Sequence, residues 1–367
     1  MGLALNPANI ADSRTRFAVN LFSLNFGLDN NLASLDLSTA TSNLGSTSDV
    51  GSLFALSNSN SFNILMPYAS VTLPGIMVSI DDKNSFALTT KFRGINQFHH
   101  FSQDLFSSVL NPSYNNDVAI ASKNFNWTAN AWTEFKLTYA REVYNVDKHY
   151  VKAGITISRL GGLGFLSLKG KNLDGRFYAA QDSLVTTNTD LQFATSLIDN
   201  GQSLVGGLGD VTGQFLGKKG GKGWGLDIGA VYEYRTEETD NDDQSSNKYK
   251  VRGSVAITDM GSIKYTSFEA KISANGSMLT DDIADTISQS GGFSNYARSR
   301  GYTMDTGRVK AKVHLPTVMI IGADYYVASH FYVNATLMTN MTNRTNYGNS
   351  MYGQLTVTPR WDTRFFC

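Results

Sequence analysis

Hydrophobic and polar residues alternate one by one along much of this chain. The stretch 132–139 reads W-T-E-F-K-L-T-Y. Successive side chains of a strand point to opposite faces, which places Glu134 and Lys136 on one face. Phe135 and Leu137 then lie on the other. The pattern predicts a sheet with one wet face and one apolar face.

The same alternation recurs from residue 16 to residue 365 and predicts about thirteen strands. Short turns separate some of them, such as 81–84 and 144–148, and Asp259-Met260-Gly261 is predicted as another tight turn. Long polar connections are predicted at 29–66, 94–130, 197–222, 236–247 and 277–302. Short turns that alternate with long loops are typical of transmembrane β-barrels.

Another sheet or lipid could cover the apolar face. The chain holds 33 Gly, 17 Tyr and 21 Phe but only 17% charged residues, and no stretch approaches the ~18 apolar residues of a spanning helix. A soluble sandwich would need a dense aliphatic core, which the pattern lacks. We therefore predict an all-β fold, a transmembrane antiparallel β-barrel of about fourteen strands. A soluble β-sheet protein is the alternative.

Composition excludes several function classes. Lys plus Arg (31) equals Asp plus Glu (31), so no net charge favours nucleic acid as a partner. The single cysteine, Cys367, provides neither a disulfide framework nor a cysteine metal site. Residues 1–7 lack the basic region of a signal peptide, and we expect any export signal to be absent from this sequence.

Four phrases stand out as strand or turn motifs: LNPAN at 5–9, GWGLDIGA at 223–230, SVAITDMGSIKY at 254–265 and GADY at 322–325. Together they resemble a family of Gram-negative outer-membrane barrels without an assigned function. That family belongs to the wider group of the long-chain fatty-acid transporter FadL and the type IX secretion protein PorV. The resemblance runs from Leu5 to Trp361 and implies a location in the outer membrane.

The resemblance also suggests how the chain is divided. Residues 1–14 would form a hatch-like segment in which Asn6, Pro7 and Ala8 lie inside a barrel made of residues 15–367. The alternative is a simple turn into the first strand, because Asn-Pro commonly begins turns. Residues 358–361 look like the start of a strand that related barrels continue, so we expect either closure here or a truncated C-terminus.

Motifs for covalent chemistry are missing. Residues 216–223 depart from a phosphate-binding loop, since Leu216 and Gly223 replace the required Gly and hydroxyl residue. The acidic run 240–244 lacks the Gly and Glu of a calcium loop. His99 and His100 are adjacent, so in a regular strand they face opposite ways. We predict no enzyme, no catalytic residue, no metal and no cofactor.

Charged residues on the wet face are the candidate site. The predicted lumen-facing charges are Glu134, Lys136, Lys152, Asp227, Glu233, Arg235, Lys250 and Arg252, with Lys264 and Lys312 on the same face. They would form salt-bridge ladders between strands or line a polar passage. Two functions follow: passage or handling of a hydrophobic or amphipathic small molecule, or docking of envelope proteins in secretion or surface attachment. Membrane lipids are expected partners of either.

Overall fold

Strands make up nearly all of the computed structural model, which confirms the all-β prediction. The structure describes residues 5–13, 15–31, 33–35, 54–56, 63–102, 104, 116–181, 183–199, 202–203, 220–236, 249–273, 277–279, 293–328, 330–342 and 347–361. Within these ranges, no helix is both long enough and apolar enough to span a membrane.

The elements follow one another in this order. The strands are β1 (Phe17–Asn20), β2 (Ser23–Asn30), β3 (Ala33–Leu35), β4 (Phe54–Leu56), β5 (Asn63–Thr72), β6 (Gly75–Ser79), β7 (Asn84–Phe101), β8 (Val118–Val146), β9 (His149–Tyr178), β10 (Ser183–Thr195), β11 (Ile198–Asp199), β12 (Gln202–Ser203), β13 (Gly221–Tyr234), β14 (Val251–Ser273), β15 (Ser277–Leu279), β16 (Thr303–His314), β17 (Val318–Ala328), β18 (Phe331–Asn340) and β19 (Gln354–Trp361). The helices are two 3-10 turns (Pro7–Ile10 and Ala179–Gln181) and α1 (Phe293–Ser299).

Fifteen of these strands form one antiparallel sheet, while β3 pairs with β4 and β11 with β12. Several strands lie end to end in one position of the sheet, as β10 and β13 do beside β9. The strands β1 and β19 end the path, and no pairing joins them among the described residues.

The turn predicted at residues 259–261 is wrong, because β14 runs unbroken through it. Ile228 pairs with Ile257 and Leu226 pairs with Met260, so two residues of β14 oppose Asp227. Asp259 is one of them and has a φ of 59°. This arrangement is a β-bulge, which keeps the ladder but adds one residue to the alternation.

The connection predicted at 94–130 is also largely strand, because β7 continues to Phe101 and β8 begins at Val118. Phe98 and Trp127 stack at 5.3 Å between ring centroids across this pair. The irregular pattern hid these strands because large side chains occupy both of their faces. Of the other four predicted connections, 29–66, 197–222 and 236–247 lie largely outside the described residues, whereas half of 277–302 is described and contains β15 and α1.

Apolar side chains line up across strands on the face that carries Leu137, called the outer face here. Register partners from strand to strand are Ile76, Leu88, Leu137, Ile157 and Leu226. These five side chains are 36 to 53% exposed. The predicted separation of the faces is therefore present, with the apolar row turned outward.

The opposite, inner face is strongly concave. Arg93 lies on β7 and Asp259 on β14, with β8, β9 and β13 between them. Four strand spacings span roughly 19 Å in a flat sheet. The guanidinium and the carboxylate nevertheless meet at 2.7 Å, so the sheet must curl around its inner face.

At one end the outer face is covered by the chain itself. Phe268 and Ile272 of β14 are buried in one cluster with Ala297 of α1 and Tyr302. The Tyr302 hydroxyl also lies 3.1 Å from the Thr186 hydroxyl on β10. The exposed apolar row thus occupies only part of the height of the wall.

Candidate functional site

Five ionised side chains meet on the inner face and form what we call the central charge cluster: Arg93, Glu134, Lys136, Asp227 and Asp259. Arg93 lies 3.1 Å from Glu134 and 2.7 Å from Asp259. Lys136 lies 3.2 Å from both Glu134 and Asp227. The two cations thus share three carboxylates, and the five side chains come from four strands, which ties distant parts of the sheet together.

Local structure positions each carboxylate. The bulge turns Asp259 inward, where its backbone N–H donates to Asp227 Oδ1 at 2.7 Å. Trp132 Nε1 donates to Glu134 Oε1 at 2.7 Å, and the Arg93 guanidinium lies 4.9 Å from the centre of the Trp132 ring. Glu134 is fully buried. Buried charges need such partners, since an unpaired one costs several kcal/mol.

A second group of contacts fixes residues 6–12, called the N-terminal segment. Asn6 Nδ2 donates to the carbonyls of Ala230 and Val255 at 3.1 Å, so it bridges β13 and β14. Its Oδ1 accepts from the Ala8 N–H at 2.9 Å and caps the 3-10 turn. Pro7, Ala8 and Ile10 are buried. The segment therefore lies on the concave face, in contact with four strands.

Charged side chains hold the rest of this segment. Lys152 Nζ donates to the Ala11 carbonyl at 3.0 Å, and Arg235 lies 2.6 Å from the Asp12 carboxylate. Arg252 donates to Asn9 Oδ1 at 2.5 Å. Glu233 joins the three cations, at 3.5 Å from Lys152, 2.6 Å from Arg235 and 3.7 Å from Arg252.

Two glycines give the N-terminal segment its room. A Cβ at Gly154 would lie 2.5 Å from the Pro7 carbonyl carbon and the Ala8 nitrogen. A Cβ at Gly229 would lie 2.2 Å from Asn6 Oδ1. The backbone of Pro7 and Ala8 can approach β9, and the Asn6 side chain can approach β13, only because both glycines lack side chains.

A second interior segment, residues 347–352, packs on the same face nearer the other end of the sheet. Gln97 Nε2 donates to the Ser350 carbonyl at 2.7 Å, and Asn349 Nδ2 donates to the Thr128 carbonyl at 3.2 Å. The Tyr347 hydroxyl donates to Glu269 at 3.4 Å. Burial, together with the nearby Glu269 charge, raises the pKa of Tyr347.

The two histidines beside this segment do not face opposite ways as predicted. His100 has a φ of 59°, which breaks the alternation. Both residues line a cavity of about 170 Å³ with Ser350, and their ring centroids are 6.2 Å apart. Among the described residues, no group of three or more potential metal ligands occurs.

A larger cavity of about 230 Å³ lies against the central charge cluster. Its lining includes Leu5 at the start of the chain, Met351 from the second interior segment and residues of ten strands. Lys91, Arg93, Lys136, Asp227 and Asp259 provide its charges. The cavity therefore lies between the two interior segments, at the level of the exposed apolar row.

Three predicted lysines lie elsewhere. Lys250 Nζ lies over the rings of Tyr325 and Tyr326, at 5.5 and 4.8 Å. Lys264 and Lys312 pair in register beside Ile263 and Val313, which are buried on the other face. The bulge explains the position of Lys264, because its extra residue shifts every later side chain of β14 to the opposite face. Lys312 of β16 shares that face as the register partner of Lys264.

Sequence reasoning missed Lys91, Arg93 and Asp259. Lys91 and Arg93 continue the polar face of β7. Lys91 lies within the predicted strand 85–92 and was overlooked there, whereas Arg93 lies one residue beyond its predicted end. Asp259 had no such signal, because Asp-Met-Gly also fits a turn. Of the rejected loop motifs, 240–244 lies outside the described residues, and 216–223 is described only from residue 220, where it leads into β13.

Comparison with known proteins yields one match. A family model described as a family of unknown function, DUF5723, matches residues 7–366. The matched range contains most of the N-terminal segment and all nineteen strands. No curated protein matches the chain.

Proposed function

Because the chain belongs to DUF5723, a family of unknown function, we propose its function from its own wall and interior. The protein is an outer-membrane β-barrel in which a sheet of about fourteen strands surrounds the inner face. It passes or handles a hydrophobic or amphipathic small molecule without covalent chemistry.

The exposed apolar row on the outer face carries this proposal. A second row follows it across the sheet: Val78, Phe86, Tyr139, Ile155 and Ile228 are register partners. A third continues through Val255, Ile321, Leu337 and Leu355, all of them exposed. Soluble proteins rarely expose apolar patches larger than a few hundred Å². Lipid is the natural cover for a continuous band of this kind.

The inner face supports passage or handling. It carries the ionised groups, encloses a cavity and is contacted by the N-terminal segment, in which Asn6, Pro7 and Ala8 act as the hatch. The N-terminal segment is held by hydrogen bonds of Asn6 and by the ion pair of Asp12, which can exchange for water. A solute that displaces it would then find a polar, curved interior.

Reconstitution tests the proposal. The purified chain is inserted into liposomes, and uptake of a lipophilic fluorescent solute is compared with uptake by empty liposomes. Flux above the empty-liposome rate supports passage. A Gly154→Val variant, in which the added side chain expels residues 7–8, is expected to raise the flux, while Gly253→Val serves as its control because a Cβ at Gly253 meets nothing within 4 Å.

Two results would point elsewhere. A protein that stays monomeric and dispersed without detergent would contradict the membrane location. Absence of flux together with a stably co-purifying envelope protein would favour the docking function.

A further inference from the structure

The cavity beside the central charge cluster has hydrogen-bond donors that the protein does not use. Lys91 lines it, and no described residue forms a hydrogen bond or ion pair with its ammonium group. Asn20 also lines it, and its buried Nδ2 has no hydrogen-bond partner. Unsatisfied buried donors are uncommon and call for an explanation.

The neighbouring ions do not compete for these donors. Arg93 and Lys136 are held by Glu134, Asp227 and Asp259 at 2.7 to 3.2 Å. With Lys91 included, three cations balance three carboxylates. Lys91 is therefore the cation that remains open to a ligand, and its recognition depends on directed hydrogen bonds more than on a net positive field.

The other residues that line the cavity indicate what kind of molecule would fit beside Lys91 and Asn20. Hydroxyl-bearing residues also line the cavity: Ser23, Thr72, Thr89, Thr138, Thr156 and Thr258. The other part of the lining is apolar: Leu5, Val318, Ile320, Met338 and Met351. At ~30 Å³ per water-sized group, 230 Å³ holds roughly seven or eight such groups. A ligand that fits this cavity therefore combines a small anionic head with a short apolar body.

We propose that this cavity is a binding site for a small amphipathic carboxylate, whose oxygens accept hydrogen bonds from Lys91 and Asn20. The proposal rests on the proposed passage function only for how the solute reaches the cavity. It adds the chemical class of the solute and the residues that select it.

Equilibrium binding tests this site without any flux measurement. Butyrate is titrated into the purified full-length chain in detergent micelles and followed by ligand-observed NMR. Neutral butyramide is the isosteric comparison, and cationic butylamine is the comparison of opposite charge. Butyrate is expected to bind at least about tenfold more tightly than either, because hydrogen bonds to a charged group are the stronger kind. Equal binding of all three, or no binding of butyrate, would overturn the site.

Variants assign the donors. Lys91→Gln keeps most of the side-chain length but removes the charge, and we expect it to weaken butyrate binding about tenfold or more. Lys123→Gln, at an exposed position of β8, is the matched control and should leave binding unchanged. If Lys91→Gln binds butyrate as wild type does, the assignment is wrong. If the Lys91→Gln variant does not fold, the comparison of the three ligands on the wild-type protein decides whether the site binds a carboxylate. Butyrate binding without liposome flux would reject the passage function but keep the binding site.

Discussion

Replacing Glu134 with Gln removes the carboxylate that Arg93 and Lys136 share. At an effective dielectric of about 20, each attraction at 3.1 and 3.2 Å amounts to about 5 kcal/mol. The carboxylate no longer has to leave water, which offsets several kcal/mol. We therefore expect Glu134→Gln to lower the free energy of unfolding by about 3–5 kcal/mol.

Urea unfolding in micelles, followed by tryptophan fluorescence, measures this loss directly. Trp132 donates to Glu134, so its emission reports on the same site. Glu142→Gln is the matched control. Its carboxylate lies 3.7 Å from Lys83, whose side chain is 63% exposed, and screening by water limits the expected cost to about 1 kcal/mol or less.

A loss below about 1 kcal/mol for Glu134→Gln would refute the reasoning. It would mean that Arg93 and Lys136 are adequately neutralised by Asp227 and Asp259 alone. A double variant with Asp259→Asn would then identify which carboxylate matters, since coupled sites deviate from additivity.

Three further predictions follow from the wall, the N-terminal segment and the first turn. Leu137→Lys on the outer face should cost about 2–4 kcal/mol in lipid bilayers by urea unfolding, whereas Asn145→Lys beside the turn should cost little; equal costs would argue against a lipid-facing Leu137. Gly154→Ala should loosen residues 7–8 and speed maleimide labelling of an Ala8→Cys reporter about tenfold, in a Cys367→Ser background, while Gly253→Ala should not; unchanged labelling would show that the close approach at β9 is unimportant. The Asn84 side chain and the Lys83 N–H hold the pKa of the exposed Asp81 below its ordinary value of 3.8. This contribution is therefore present above pH 3.8 and is lost as the pH falls through the lower folded-state pKa, so Asp81→Asn should flatten the acid side of the stability profile; an unaltered profile would assign the acid loss to other groups.

Much of the sheet could be predicted from single strands. The alternation at 132–139 correctly separated Leu137 from Glu134, because one face is exposed and apolar while the other is buried and charged. The pairing of Lys136 with Asp227 and of Arg93 with Asp259 could not be predicted in the same way. Those contacts join strands that are adjacent only after the sheet has formed and curled.

Errors concentrate where the backbone departs from a regular strand. The bulge at Asp259 moved Lys264 to the outer face, and the left-handed His100 brought two histidines to one cavity. Asp259 and His100 both have positive φ, which a pattern of side-chain types does not reveal. Arg93 was missed because the predicted strand 85–92 ended one residue too early, whereas Lys91 was overlooked within that strand.

Strand β14 has a consequence for the order in which the protein can assemble. One of its edges pairs with β13 and β10, and the other with β16 and β17. The strands that pair with β14 are spread along the chain from Ser183 to Ala328. Both edges of β14 are therefore paired only when segments far apart in the sequence have met. Pairings of long sequence separation form slowly because loop closure precedes the gain from contacts. Formation of β14 is therefore expected to be a late, cooperative step, and a chain stopped before Val318 would leave residues 251–258 of one edge open to pairing with other molecules.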